Sequence, residues 1–321
     1  MTLASRLKTS VAALTRSAAG AALGLGLVAT LAGSPAAWAQ EIAVAPAIVP
    51  QAPAGSGPAL WVVRDADSTI YLFGTVHVLR PTTAWGTPAV DAAFADAEEI
   101  WFEITNPDDQ AAALPLIMEH GMDPSRPLNT LLTEAEYAKL GEAAGVVGVP
   151  VQQLNIMRPW LVGLTLSMAP LVKAGYDPTS GIELVLRARA VAEGKPVKGL
   201  ETIEEQIRIL AGFPEDAQLN FLRQSLETYE NAATELDDLV AAWSTGDVDG
   251  LAGFAHEMRD DDARIYDAML TRRNTNWAGQ IQTLLEGEGT VFIAVGAAHL
   301  AGDDSVQTIL ARRGVTVERV Q

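Results

Sequence analysis

The chain has 321 residues, with 22 Lys and Arg against 40 Asp and Glu, a formal net charge of −18. That balance opposes binding to nucleic acid or anionic lipid and favours solubility or basic partners. Cysteine is absent, which excludes disulfide staples, a thiolate nucleophile and lipoprotein attachment, so any metal must be held by His, Asp or Glu.

Arg6, Lys8 and Arg16 precede an apolar stretch from Ala18 to Leu31, and Ser34-Pro35-Ala36-Ala37-Trp38-Ala39 ends in the small-x-small spacing of a signal-peptidase site. The expectation is a secretory signal peptide over 1–39, cleaved after Ala39, and a mature protein that is periplasmic or secreted. The apolar stretch is shorter than the roughly 20 residues of a membrane span. The longest later run, Trp160 to Val172, has thirteen residues and contains Pro170, so no stable span is expected after cleavage. Without the three leader bases, 19 basic residues face 40 acids, a net −21. Residues 40–58, rich in Ala, Pro and Gly, read as a flexible tether. A single domain is expected over 59–321, because its essential parts lie at opposite ends of the sequence.

Leu60 to Arg64 and Thr69 to Phe73 are β-rich runs around Asp65-Ala66-Asp67-Ser68, a hairpin pattern. Pro88 to Ala97 reads as a helix with Pro in its first turn, and Glu99 to Ile104 as the next strand. The middle is helical. Thr133-x-x-Glu136 is a capping box, Pro159 opens an apolar helix through Lys173, and another helix covers Gly181 to Glu193. Lys195 to Leu200 returns to the sheet, ending at Glu201, and Thr202 caps a helix over Glu204 to Leu210. Amphipathic helices are expected over Glu215 to Trp243 and over Asp260 to Glu286. Thr290 to Val295 is a buried type of strand, followed by a helix from Asp304 to Arg313 and a strand from Val315 to Val320. The fold class is therefore α/β (mixed α+β). A central, mostly parallel sheet is formed by βαβ units at both ends of the chain, with a large helical insert over about 107–286.

Ile70-Tyr71-Leu72-Phe73-Gly74-Thr75-Val76-His77 and Phe292-Ile293-Ala294-Val295-Gly296-Ala297-Ala298-His299 share one plan: apolar strand, glycine, two small or β-branched residues, histidine. A glycine at a strand end permits a positive-φ turn, and the histidine can then project over the carboxyl edge, where α/β sheets bind ligands. If the two strands are neighbours, the imidazoles converge, and imidazole is a common ligand of divalent transition metals. Glu103 is the natural third member, since a right-handed crossover would deliver its strand end beside Gly74. The plain alternative is that each histidine is a hydrogen-bonded turn residue and Glu103 an ordinary N-cap or surface acid. His120, at a helix end before Gly121, and His256, in a polar helix without His-Glu-x-x-His spacing, stay outside the set. Trp160, Trp243 and Trp277 read as core aromatics, and Asp237-Asp238 and Asp260-Asp261-Asp262 as solvated or helix-start charges.

At these residues the chain resembles the TraB/GumN family, which includes the TraB/PrgY pheromone-shutdown proteins and the animal Tiki metalloproteases. The resemblance runs through Leu60-Trp61, Phe73-Gly74-Thr75-Val76-His77, Glu103, Gly181-Ile182-Glu183, Gly199-Leu200-Glu201-Thr202, Trp243-Ser244-Thr245-Gly246-Asp247, Arg273-Asn274, Val295 to Gly302 and Gly314-Val315-Thr316-Val317. It implies a wider likeness to erythromycin esterases and haem-binding ChaN-like proteins, with a shared site at His77, Glu103, His299 and Arg273. Asn274 and Glu183 are secondary candidates; at Glu183 the family more often has aspartate, so the carboxylate here reaches one methylene further.

The leading expectation is metal-assisted hydrolysis of a peptide or small acyl substrate. His77, His299 and a carboxylate such as Glu103 would hold Mn, Co or Zn, lowering the pKa of bound water toward ~7. Glu103 or Glu201 would accept the water's proton, and Arg273 would face the developing oxyanion. Two alternatives stay open: a metal-free, esterase-like hydrolase in which one histidine is the general base, and a protein that sequesters haem or a peptide without turnover.

Overall fold

Short apolar runs from both ends of the chain, and one from its middle, assemble into one sheet. The computed structural model describes residues 49–321; the expected signal peptide, its cleavage site and the first part of the tether lie outside the described residues. The strands are β1 (Leu60–Arg64), β2 (Ser68–Thr75), β3 (Glu99–Ile104), β4 (Val197–Glu201), β5 (Gly289–Gly296) and β6 (Val317–Arg319), in the order β4-β3-β5-β2-β1-β6. Strands β4, β3, β5 and β2 are mutually parallel, while β1 is antiparallel to both β2 and β6. The opening hairpin closes on Asp65, whose Oδ1 accepts from Ser68 N at 2.8 Å and from Asp67 N at 3.2 Å.

The two histidine-bearing strands are neighbours as expected, with Phe73 opposite Ala294 and Thr75 opposite Gly296. The crossover from β2 to β3 does not deliver Glu103 beside Gly74, however. β5 lies between them, so Glu103 sits next to Gly296. The physical reason is in β5 itself: its last six residues are all buried, which suits the middle of a sheet covered on both faces. Phe292 and Ala294 face one core with Phe73, Phe94 and Phe102; Val291, Ile293 and Val295 face the other with Leu72, Trp277, Ile281 and Leu310. Each such large apolar side chain contributes about 1.5–3 kcal/mol on burial.

Besides single turns at Val151–Leu154 and Ala263–Tyr266, the α-helices of the described residues are α1 (Pro88–Asp96), α2 (Gln110–Gly121), α3 (Glu134–Val147), α4 (Pro159–Lys173), α5 (Ile182–Ala192), α6 (Ile203–Ala211), α7 (Glu215–Thr228), α8 (Ala232–Ser244), α9 (Val248–Asp261), α10 (Arg272–Leu285) and α11 (Val306–Arg312). Both anticipated caps are present: Thr133 with Glu136 starts α3, and Thr202 with Glu205 starts α6, each a reciprocal capping box. Pro170 does not interrupt α4; it lies in the last turn. The insert has its own apolar centre, in which Leu140 of α3, Val162 and Leu166 of α4 and Leu222 of α7 meet. No helix among the described residues is long and apolar enough to cross a membrane.

The end of the expected tether is tied to the domain, since Ala52 N donates to Gly86 O at 2.8 Å and Pro50 O accepts from Trp85 N and Gly86 N. The glycines of the two histidine motifs also differ from expectation. Neither Gly74 nor Gly296 has positive φ. Gly74 is needed for space instead: a Cβ there would lie 3.1 Å from Ala297 Cα, so the two motifs pack backbone to backbone.

Candidate active site at the carboxyl edge of the sheet

Four parallel strands end along one edge, and each delivers a polar group: Glu201 from β4, Glu103 from β3, His299 just after β5, and Thr75 and His77 from the end of β2. Two clusters result, one around His77 and one around His299.

In the first, His77 Nδ1 lies 2.7 Å from Glu183 Oε1, and Thr75 Oγ1 donates to the same oxygen. Glu183 is in the first turn of α5, where the helix N-terminus favours a negative charge. That helix starts directly on the histidine turn. Ile182 N donates to Val76 O at 3.2 Å, and a Cβ at Gly181 would stand 2.3 Å from His77 O, so only glycine fits. Burial works against the charged forms of both groups, but their mutual attraction wins. It raises the pKa of His77 above its ordinary 6.5, and with Thr75 it holds Glu183 below 4.5. His77 Nε2 is buried with no hydrogen-bond partner among the described residues.

The second cluster is organised around Arg273, and within it Gln206 Oε1 is left without a hydrogen-bond partner among the described residues. This arginine follows a five-residue π-helical turn, Asp267–Thr271, that leads into α10; such turns are frequent at functional sites. Its Nε meets Glu201 at 3.0 and 3.1 Å, and its Nη2 meets Glu103 Oε2 at 2.6 Å and Glu201 Oε2 at 2.9 Å. Its Nη1 lies 3.1 Å from His299 Nε2. Because guanidinium can only donate, His299 Nε2 must accept, which places the imidazole proton on Nδ1, facing Asn274 Oδ1 at 2.5 Å. Asn274 is oriented for this by donating its amide to Asp304 O at 2.7 Å. Glu103 Oε1 accepts from Gly296 N at 2.8 Å, and Gln206 donates to Glu103 Oε2 at 3.0 Å. Burial first, and then Glu103 nearby, push the Glu201 carboxyl above its ordinary 4.5 despite Arg273. Arg273 itself is driven upward, because its two carboxylates outweigh burial.

Among the expected site residues, Glu103, Glu201, Arg273, His299 and Asn274 are thus brought together, and His77 and Glu183 form a second pair at the next strand, near enough for Glu103 and Arg273 to act on the His77 charge. Among the described residues, no three His, Asp or Glu side chains are grouped to hold a metal ion. Four further participants escaped the sequence reading. Trp277, expected only in the core, donates to Glu201 Oε1 at 3.0 Å and lies 4.4 Å from the His299 ring. Trp243 donates to Gly74 O at 2.8 Å and fixes the end of β2. Thr75 carried a signal, its place inside the Gly-x-x-His motif, whereas Gln206 carried none. His120 and His256 remain outside the site, and Asp237 and Asp262 pair with Arg80 and Arg264.

A mixed sheet whose parallel strands converge on buried carboxylates, an arginine and two histidines defines an α/β protein with a polar site at its carboxyl edge. The sequence profile of the TraB/PrgY/gumN family matches residues 59–319, and the chain belongs to that family. An uncharacterised protein of Treponema pallidum (strain Nichols) is 22% identical over 275 residues, covering 79% of this chain and 80% of the relative. The uncharacterised protein YbaP of Escherichia coli (strain K12) is 24% identical, covering 79% and 92%. The metalloprotease TIKI2 of Danio rerio is 24% identical, covering 81% of this chain and 60% of its own length. No solved structure matches the chain.

Proposed function

We propose that the protein is a hydrolase of peptide or other acyl bonds in which His77 is the general base. The observation that carries this reading is the asymmetry of His77: one ring nitrogen faces a buried carboxylate while the other, Nε2, has no hydrogen-bond partner among the described residues. A base held by a second group, with its reactive atom free, is what proton abstraction from water requires. The name of the TIKI2 relative, a metalloprotease, supports hydrolysis as the reaction class.

The residues do not fit a resident metal as they are arranged. His299 is committed through both nitrogens, and both oxygens of Glu103 and of Glu201 accept hydrogen bonds. The guanidinium of Arg273 takes the position between the carboxylates that a cation would need. In the mechanism, His77 Nε2 takes a proton from water as the oxygen attacks the acyl carbon. The carbonyl oxygen, gaining charge, faces the positive charge of Arg273, which Glu103 and Glu201 fix in advance. His77 then returns the proton to the departing nitrogen or oxygen. His299 cannot share the base's role, because its Nε2 lone pair already accepts from Arg273.

The test is turnover of a peptide and ester library by chelator-treated protein, wild type and His77→Ala, with metal content measured alongside. Turnover that survives chelation and falls by about 100-fold or more in the variant is expected. Turnover lost on chelation and restored by Mn, Co or Zn would return the site to the metal-dependent form. Inactivity on every amide and ester sinks the hydrolase reading. Export is proposed from the basic, apolar, Ala-x-Ala leader; periplasmic or secreted protein beginning at Gln40 is the expected product, and intact protein retained in the cytoplasm refutes it.

A further inference from the structure

A cavity of about 660 Å³ opens onto the Arg273 cluster, with Glu201 and Arg273 in its lining. In a chain with 40 acids and 22 bases, this cavity also carries Arg208 from α6, Arg264 and Arg272, against only one further acid, Glu205. The two carboxylates in the lining are already used. Glu201 is gripped by Arg273, and Glu205 Oε2 accepts from Thr202 N at 2.7 Å at the start of α6.

The arginines are not equally free. Arg264 places Nε, Nη1 and Nη2 on Asp262 and Asp216. Arg208 uses Nε and Nη2 on Glu204, and Arg272 uses Nε on Asp267. That leaves Arg208 Nη1 and both terminal nitrogens of Arg272 without a hydrogen-bond partner among the described residues. Phe213 and Ile209 supply apolar wall to the same cavity. Terminal guanidinium nitrogens above an apolar wall suit an amphipathic ligand with a carboxylate at one end.

We propose that this cavity is a carboxylate-binding subsite, and that the substrate is a short peptide whose carboxylate is held by Arg272 and Arg208 while its acyl bond lies toward Arg273. The word substrate rests on the hydrolase reading; the subsite does not. It also separates the cavity from the strongly acidic remainder of the surface, which would repel an anionic peptide elsewhere.

The test is calorimetric titration of the full protein with three probes: N-acetyl-trialanine as the free acid, the same peptide as its C-terminal amide, and N-acetyl-Ala-Ala-Glu as its C-terminal amide. The free acid binds about tenfold more tightly than the trialanine amide, the size of one charge-assisted pair. The double variant Arg208→Gln, Arg272→Gln removes that preference, and both side chains are largely exposed, so the fold is retained. The glutamate probe binding like the acid assigns the subsite to any carboxylate; binding like the trialanine amide assigns it to the chain terminus. Equal binding of acid and amide, no binding at all, or a preference that survives the double variant overturns the proposal. Weighing the recovered peptides keeps the two readings apart. Preference without cleavage keeps the subsite whatever the peptide and ester library shows, and cleavage without preference sinks the subsite and keeps the hydrolase.

Discussion

His77 and His299 leave neighbouring parallel strands by the same Gly-x-x-His turn, yet one faces a carboxylate and the other a guanidinium. The local motif fixes where each ring stands. Residues far away in sequence decide what the ring can do: Glu183 raises the proton affinity of His77, while Arg273 and Asn274 commit both nitrogens of His299. A repeated motif is therefore a repeated position, and its chemistry is set by the elements that pack against it.

The sharpest way to break this contrast is to remove the guanidinium. Arg273→Met leaves Glu103 and Glu201 buried beside each other with no counter-charge, and a loss of about 3–5 kcal/mol in urea unfolding at pH 7 is expected. A loss under about 1 kcal/mol would show that Arg273 does not hold the second cluster together. Gly181→Ala attacks the other side. Its Cβ would meet His77 O at 2.3 Å, so α5 and the first histidine turn must separate, costing about 1–3 kcal/mol and most of the activity. Unaltered activity would mean that the Glu183 contact with His77 is dispensable.

Glu183→Gln tests the electrical difference alone. As base, His77 must be neutral, so activity rises with pH through its raised pKa; in the variant that rise moves to lower pH. His77, raised in the fold, contributes stability that is full below 6.5 and is lost as pH rises through its raised value. Glu183, lowered in the fold, contributes stability that is present above 4.5 and is lost as pH falls through its lowered value. Wild type should therefore exceed the variant most between 4.5 and 6.5, with the gap shrinking on both sides. Glu235, pushed up to about 7 by burial and by Glu257 and Asp238, titrates in both proteins and drops out of the difference. A gap that does not change with pH contradicts the ion pair. The smallest effect belongs to Thr75→Val, which removes one hydrogen bond to Glu183 and should cost about 0.5–1.5 kcal/mol while shifting the activity profile slightly. No shift would assign Thr75 to packing only.

Much of the molecule was legible because local rules were strong. The Thr133 and Thr202 caps, the Asp65 turn and the alternation along β2 each express an interaction between residues close in sequence. Glu103 was legible as an apolar strand's carboxylate in need of a partner, but its neighbour was not, because strand order depends on which strand best tolerates burial on both faces. Trp277 was read as core, and it is fully buried; its indole N–H, 76 residues from Glu201, carries the part that local pattern cannot show. Arg273 was visible only through its likeness to a family, since one arginine beside another looks like a surface pair until the π-helical turn rotates it inward.

The central strand β5 enters between β2 and β3 although it is made long after them. At about 5–20 residues per second, a ribosome needs roughly ten to forty seconds to travel from the end of β3 to the start of β5. Throughout that interval the two early strands lack the neighbour that joins them, and Glu103 lacks the Gly296 amide; its partner Arg273 is made only shortly before β5. A chain released early has no second histidine and no completed edge. The carboxyl edge of the sheet is complete only once β5 and the histidine turn after it have been made.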